Sequence, residues 1–260
     1  MSPPVFRIAN ADLQHVQVGN EVALTGPEGR HAVSSMRLGV GEAIDLVDGC
    51  GLRLNGVVES VSGKDTVRVR VATVRIEPVA TLAITVVQAL PKGDHGELAV
   101  DLLTQVGVDV IVPWAAARSV TRWAPDRLEK SSGKWQGALI AAAKQSRRAR
   151  WPVLGELATT SAVVELIYGS ATCIVLDEAA VTSVLEVPID DIGGTGNLVL
   201  IVGPEGGISD EERELFRAAG AVEARLGPGV LRSSAAGAVA VAVISAARNW
   251  GGPAMGGSST

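Results

Sequence analysis

Aromatic side chains make up only 3% of this 260-residue chain. A binding face built from stacked bases on Phe and Tyr is therefore disfavoured. Cysteine is almost as scarce. Cys50 and Cys173 stand far apart and outside any metal-ligand spacing, which predicts two reduced thiols in a cytosolic protein. The three histidines, His15, His31 and His95, are scattered too, so no metal site is expected. Every apolar run is broken by charge, Gly or Pro before it could span a bilayer, which excludes a membrane partner. The opening "MSPPVFRIAN" has no basic stretch followed by an apolar one, so no secretory signal is expected and the cytoplasm is the predicted location.

What remains is globular: 47% apolar and 20% charged residues, with a net charge of −5. The charge is uneven. Eight basic residues face nine acidic ones over 1–77, ten face six over 78–150, and five face thirteen over 151–260. The middle third ends in "KQSRRAR", where Lys144, Arg147, Arg148 and Arg150 form a basic patch on an acidic protein. Two readings stand side by side: a contact for a polyanion, or a solvated helix end whose cations suit the dipole.

Residues 1–76 alternate in the manner of half-buried strands. Val67, Val69 and Val71 interleave with Arg68 and Arg70, and "DGCG" and "SGKD" supply turns. This predicts a small antiparallel barrel or sandwich ending near Pro78. From residue 81 the pattern becomes alternating strands and helices. Strands are expected at "LAITVVQAL", "VDVIVP", "TCIVLD", "NLVLIVG" and "VEARLG". Helices are expected over Gly96–Gly107, Pro125–Arg150, near Val181, Asp210–Gly220 and Leu231–Asn249. The result is an α/β domain with a mainly parallel sheet, followed by a disordered tail, "GGPAMGGSST".

The letters GPEG occur twice, at Gly26–Gly29 and Gly203–Gly206. The surroundings share nothing else, so there is no internal repeat, and the first copy reads as a turn in the barrel. The second joins a strand to a helix opened by Ser209 and Glu212, a capping-box pair. Glycine loops at that position face ligands in α/β sheets. The loop lacks the lysine of a phosphate-binding loop and carries Glu205, which disfavours a nucleoside triphosphate. A structural turn would account for GPEGG nearly as well. "LGPGVLRSSAAGAVAVAV" likewise opens a helix, and Arg232 is a cation at an entrance where the dipole disfavours it.

"LIVGPEGGISDEE" with "GAVEARLGPGVLRSSAA", "VVQALPKGDHGE", "AAAKQSRRARWP" and "HAVSSMRLGVGEAIDLVDGCG" together resemble the RsmE family, 16S ribosomal RNA methyltransferases that modify N3 of a uridine. The matches span most of residues 25–240. The resemblance implies an α/β fold of SPOUT type, a parallel sheet with a carboxy-terminal trefoil knot, preceded by a small PUA-like β-barrel. It implies the barrel over 1–76 for RNA binding, the methyltransferase domain over 80–249 and a tail over 250–260. S-adenosyl-L-methionine is then the cofactor, the small ribosomal subunit the partner, and a homodimer the assembly. The cofactor residues implied are Leu176 and Glu178; Gly203, Pro204, Glu205, Gly206 and Gly207; and Leu226, Gly227, Leu231 and Ser233. Arg232 is the candidate catalytic residue, a cation that favours the uridinate. RNA contacts are expected from Arg7, His31, Arg37, Lys92, Arg147, Arg148 and Arg150. The chain departs from the family at Gly229, often Arg; at Ser233-Ser234, often Thr-Glu; and at Gln105. A sister enzyme with another target position, or a non-catalytic RNA-binding relative, stand as the alternatives.

Overall fold

The computed structural model describes residues 3–8, 13, 15–80, 82–189 and 196–247. The tail expected over 250–260 lies outside them. The chain divides into two compact units, one comprising Met1–Ala80 with Ile140–Trp151, the other Thr81–Leu139 with Pro152–Thr260.

The first unit is built on a five-stranded sheet of β1 (Val5–Arg7), β2 (Glu21–Leu24), β3 (Ala43–Val47), β4 (Leu52–Ser62) and β5 (Thr66–Ile76), in the order β1-β3-β4-β5-β2. The expected antiparallel pairing holds for β2–β5, β3–β4 and β4–β5, but β1 pairs with β3 in parallel. The alternation in β5 does what its period demands. Val67, Val69 and Val71 are buried with Phe6, Leu24, Ile44, Leu46 and Leu54, while Arg68 and Arg70 point outward and pair with Glu21 and Glu59. Bulges between Asn55 and Gly56 and between Val58 and Ser60 bend the long β4–β5 pair.

The first GPEG is a correction. Gly26–Arg30 forms a short helix, α1, and His31–Ser35 continues it as a wider π turn. Gly29 is required by space: a Cβ there would sit 2.0 Å from the carbonyl oxygen of Asp65. Glu28 is used as well, accepting from Lys144 Nζ at 2.8 Å.

The second unit is a six-stranded, all-parallel sheet in the order β11-β9-β10-β6-β7-β8. Its strands are β6 (Ala83–Ala89), β7 (Val110–Trp114), β8 (Val153–Leu154), β9 (Thr172–Leu176), β10 (Asn197–Val202) and β11 (Val222–Ala224). The helices are α2 (His95–Gln105), α4 (Thr160–Tyr168), α5 (Asp210–Ala218) and α6 (Ser233–Ala247), while α3 (Leu128–Gln145) runs from this unit into the first. β8 and α4 were not anticipated; both are short. β6 and β10 are central and nearly all buried, as continuous apolar runs should be. Cys173 in β9 is part of this core, and burial pushes its thiol up to about 12, so it stays protonated. Among the described residues no helix is long and apolar enough to cross a membrane.

Two helix expectations fail for local reasons. The segment near Val181 is irregular, because Asp177 and Glu186 carboxylates take the N–H groups of Ala179 and Ser183 at 2.8 and 2.7 Å. Side chains that satisfy the backbone in this way compete with a helix. α3 stops at Gln145, short of Arg150. Arg147 is left-handed, with φ of 58°, and Arg148 N–H returns to Ala143 O at 2.9 Å, a closed carboxy-terminal cap.

Small residues let α6 approach the sheet and α2. A Cβ on Gly237 would lie 3.1 to 3.3 Å from Leu103, Val202 and Val86. Gly237→Val is expected to cost roughly 2 kcal/mol by overpacking, read as a lower urea midpoint with an unchanged slope.

Candidate active site

Where β9, β10 and β11 end, three segments enclose a pocket of about 290 Å³. Ligands in parallel sheets bind beyond these carboxyl ends. Leu176 and Glu178 line it from the end of β9; Gly203, Pro204, Glu205 and Gly207 from the loop after β10; Leu226, Gly227, Leu231, Arg232 and Ser233 from the segment entering α6. Gly206 does not line it. Its place in the loop is set from the other side, since a Cβ there would lie 3.2 Å from Arg118 O.

The loop after β10 is held by its own chemistry. Gly207 has φ of +73° and donates its N–H to Pro204 O at 2.9 Å, closing a tight turn. A Cβ on Gly203 would press on Ile208 at 2.8 Å. α5 then opens with the predicted capping box: Ser209 Oγ accepts from Glu212 N–H at 3.2 Å, and Glu212 Oε2 accepts from Ser209 N–H at 3.1 Å. Glu212 Oε1 takes two more donors, Ala117 N–H at 2.8 Å and the Thr160 hydroxyl at 3.0 Å.

Ser233 explains one departure from the family pattern. Its hydroxyl donates to Gly203 O at 2.7 Å and accepts from Gln88 Nε2 at 3.0 Å. The hydroxyl that threonine would offer is retained, and it pins α6 to the glycine loop. Gln105, another departure, bonds Asp101 on the exposed end of α2, away from the pocket lining. Arg232 precedes α6, and its carbonyl accepts from Ala235 and Ala236 N–H at 2.9 and 3.0 Å. Its side chain is exposed and lines the pocket. Glu205 has a bracing contact, accepting from Lys92 N–H at 3.2 Å.

Sequence reasoning missed Asp177 and Arg213. Asp177 is buried at the end of β9 and ion-paired with Arg213, which also lines the pocket. A carboxylate at the carboxyl end of a parallel strand was the available signal. The lining thus carries Asp177, Glu178 and Glu205 against Arg213 and Arg232. An acidic excess suits a cationic ligand. Backbone groups, glycines and apolar Leu176, Leu226, Val230 and Leu231 suit a flat heterocycle better than a triphosphate. These residues fit S-adenosylmethionine. Among the described residues no cluster could hold a metal ion.

Of the RNA candidates, Lys92 lies exposed in the loop after β6. The others belong to the first unit, and several are already engaged. Arg7 stacks over the Trp151 ring at 5.0 Å, and His31 packs on Phe6 at 5.8 Å between ring centroids. Arg148 Nε donates to Arg150 O, and Arg150 Nη2 to Glu77 O, both at 2.9 Å. Arg37 and Arg147 are exposed and share a left-handed backbone.

Residues 78–245 match the family described as RNA methyltransferase domain, and residues 24–72 that described as RNA methyltransferase PUA domain. The chain is 39% identical to ribosomal RNA small subunit methyltransferase E of Mycobacterium tuberculosis over 87% of its own length and 86% of that protein's. It is 27% identical to the protein of the same name from Bacillus subtilis, covering 89% and 92%. A Legionella pneumophila methyltransferase structure with the cofactor SAM bound superposes with a TM-score of 0.81 at 26% identity, covering 95% and 98%. A match to the methyltransferase family over 78–245 and this identity across both chains place the protein: it belongs to the RsmE family of RNA methyltransferases.

Proposed function

We propose that this protein transfers a methyl group from S-adenosylmethionine to N3 of a uridine in 16S ribosomal RNA of the small subunit, in the cytoplasm. The observation that carries the reading is the pocket: three loops at the carboxyl edge of the sheet, an acidic excess, and no lysine placed for phosphate. When bound, S-adenosylmethionine supplies a methyl group on a sulfonium, an electrophile that needs no metal.

The protein's part is to position that methyl and to manage a proton. Uridine N3 carries a proton that must leave. Arg232, at the pocket rim, favours the uridinate by placing a cation beside it. N3 lies on the Watson–Crick edge, so the base must be unpaired when it enters. Gly203–Gly207, held by Ser233 and Glu212, keeps the cofactor side of the pocket fixed. Apart from Gly206, which lies outside the pocket lining, the residues named for the cofactor and for RNA in the sequence keep those roles in this reading, with residues 1–76 as the RNA-binding domain and 80–249 as the catalytic one. The loops after β9, β10 and β11 are those that a trefoil knot would thread.

One face of α6 supports a homodimer. The helix has no charged residue from Ser233 to Ala247, and Val239 is 38% exposed on it. A second copy covering that face would remove the exposed apolar stripe.

Reverse transcription of 16S ribosomal RNA tests the activity, because N3 methylation blocks base pairing. One stop is expected to vanish when the gene is deleted and to return when it is restored. A stop that persists in the deletion strain would contradict the uridine-N3 assignment.

A further inference from the structure

On the side of the glycine loop that Gly206 faces lies the segment between β7 and α3, pinned in several places. Ala117 N–H donates to Glu212, whose other oxygen takes Ser209 N–H. Arg122 folds back and donates to Ala116 O and Ala117 O at 2.8 and 2.9 Å. The Thr121 hydroxyl donates to Pro91 O at 2.7 Å, and next to Pro91 the Lys92 N–H donates to Glu205. β10, β6 and β7 are neighbours in the sheet. The loops that follow them are therefore one hydrogen-bonded ledge along its carboxyl edge.

Arg118 is the side chain that this ledge presents. It is exposed, while its backbone presses on Gly206. Its Nη1 reaches the pocket rim, 3.5 Å from Ile208 O and 4.0 Å from where Gly207 would carry a Cβ. Both of those residues line the pocket. A 3.5 Å contact to a carbonyl is at the weak limit of a hydrogen bond, and it leaves most of the guanidinium's donors for a ligand.

Charge says which ligand. The acidic lining that suits a sulfonium repels a phosphodiester, yet any base entering the pocket brings its flanking phosphates with it. A cation fixed at the lip offsets that repulsion. Arg232 lines the pocket from the α6 side, and Arg118 stands behind Gly207, beside the glycine loop. We infer that Arg118 receives a backbone phosphate next to the target nucleotide, an inference that rests on the proposed RNA methylation. The ledge fixes its backbone relative to the cofactor loop, so the phosphate contact sets where the base falls with respect to the methyl group.

The test uses full-length Arg118→Ala and Arg118→Lys proteins, with small ribosomal subunits from a strain lacking the enzyme. Methyl transfer is measured against subunit concentration at several salt concentrations, and S-adenosylmethionine affinity by calorimetry. For Arg118→Ala, KM for subunits is expected to rise about tenfold and the log–log salt slope to fall by about one, as for loss of one phosphate contact. Cofactor Kd should change less than about twofold, since backbone groups hold the loop. Arg118→Lys should recover most of the slope, because a phosphate accepts a point charge. An unchanged KM and slope would overturn the inference. So would a parallel loss of cofactor affinity, which would make Arg118 a brace of the glycine loop only. Wild-type protein that fails to methylate small-subunit RNA would instead remove the reading on which the inference rests.

Discussion

Replacing Arg232 by alanine is expected to slow methyl transfer by about 10²- to 10³-fold, the usual loss when one donor aimed at developing negative charge is removed. Cofactor affinity holds within a few-fold. The split follows from where Arg232 sits. Its backbone carbonyl closes the first turn of α6 and is untouched by the substitution. Its guanidinium is exposed at the pocket rim, and among the described residues it makes no hydrogen bond or ion pair. A cation before the first turn of a helix gains nothing from the dipole, so the fold has no use for this charge. The proposed chemistry has one, because loss of the uridine N3 proton would make the base anionic as the methyl arrives. Single-turnover rates at saturating cofactor, beside calorimetric Kd values, check both halves. Undiminished turnover rules the role out, and Arg232→Lys should lie between, keeping the charge but losing the planar fork.

Glu212→Ala loses stability and cofactor binding together. The carboxylate is 4% exposed and accepts three hydrogen bonds, from Ala117 N–H, Ser209 N–H and the Thr160 hydroxyl. Removing it leaves one buried donor, Ser209 N–H, and two part-buried ones without their acceptor, so about 2 to 3 kcal/mol is expected. The same three bonds tie the loop after β7, the start of α4 and the glycine loop to one point. Cofactor Kd should therefore rise at least about tenfold, for on the order of 1.4 kcal/mol of lost loop order. Glu212→Gln keeps one oxygen and should fall between, since its amide cannot accept where the second oxygen did. Urea midpoints and calorimetry measure the two effects. A normal midpoint with normal binding would show that Glu212 is a dispensable cap.

These residues differ in how far a sequence reveals them. The loop after β10 is legible because its meaning is local: strand, glycines, then a capping pair three residues apart. Arg232 is legible because it violates a local preference. Arg213 and Arg118 carry no such mark, and Asp177 only the weak one of its place at a strand end. Asp177 looks like any polar residue ending a strand, and Arg213 like a surface cation on an acidic helix, until tertiary packing pairs them. Arg118 gains its place only because β7 lies two strands from β10 in an order that is not the chain order. The parallel sheet follows from continuous apolar runs; the first GPEG does not follow from its letters. The same four residues begin a helix there, with Gly29 against Asp65 O, and form a turn at Gly203, with Gly206 against Arg118. The basic run at 144–150 is in part the helix end that one of its readings described, and its contact with a polyanion stands as a proposal. Arg150 and Lys144 are tied into the first unit, and Arg147 stands in the cap that ends α3.

The first unit is discontinuous, and that has a consequence for synthesis. Lys144 closes on Glu28, Trp151 stacks under Arg7, and Arg53 Nη2 donates to Arg147 O. None of these partners exists when the ribosome has made only the five strands of that sheet. β6, α2, β7 and most of α3 must emerge before Ile140–Trp151 can arrive. Domains generally fold as units, amino-terminal first, during translation. Here the domain that is begun first cannot be finished first, and its completion waits on a stretch encoded in the middle of its neighbour.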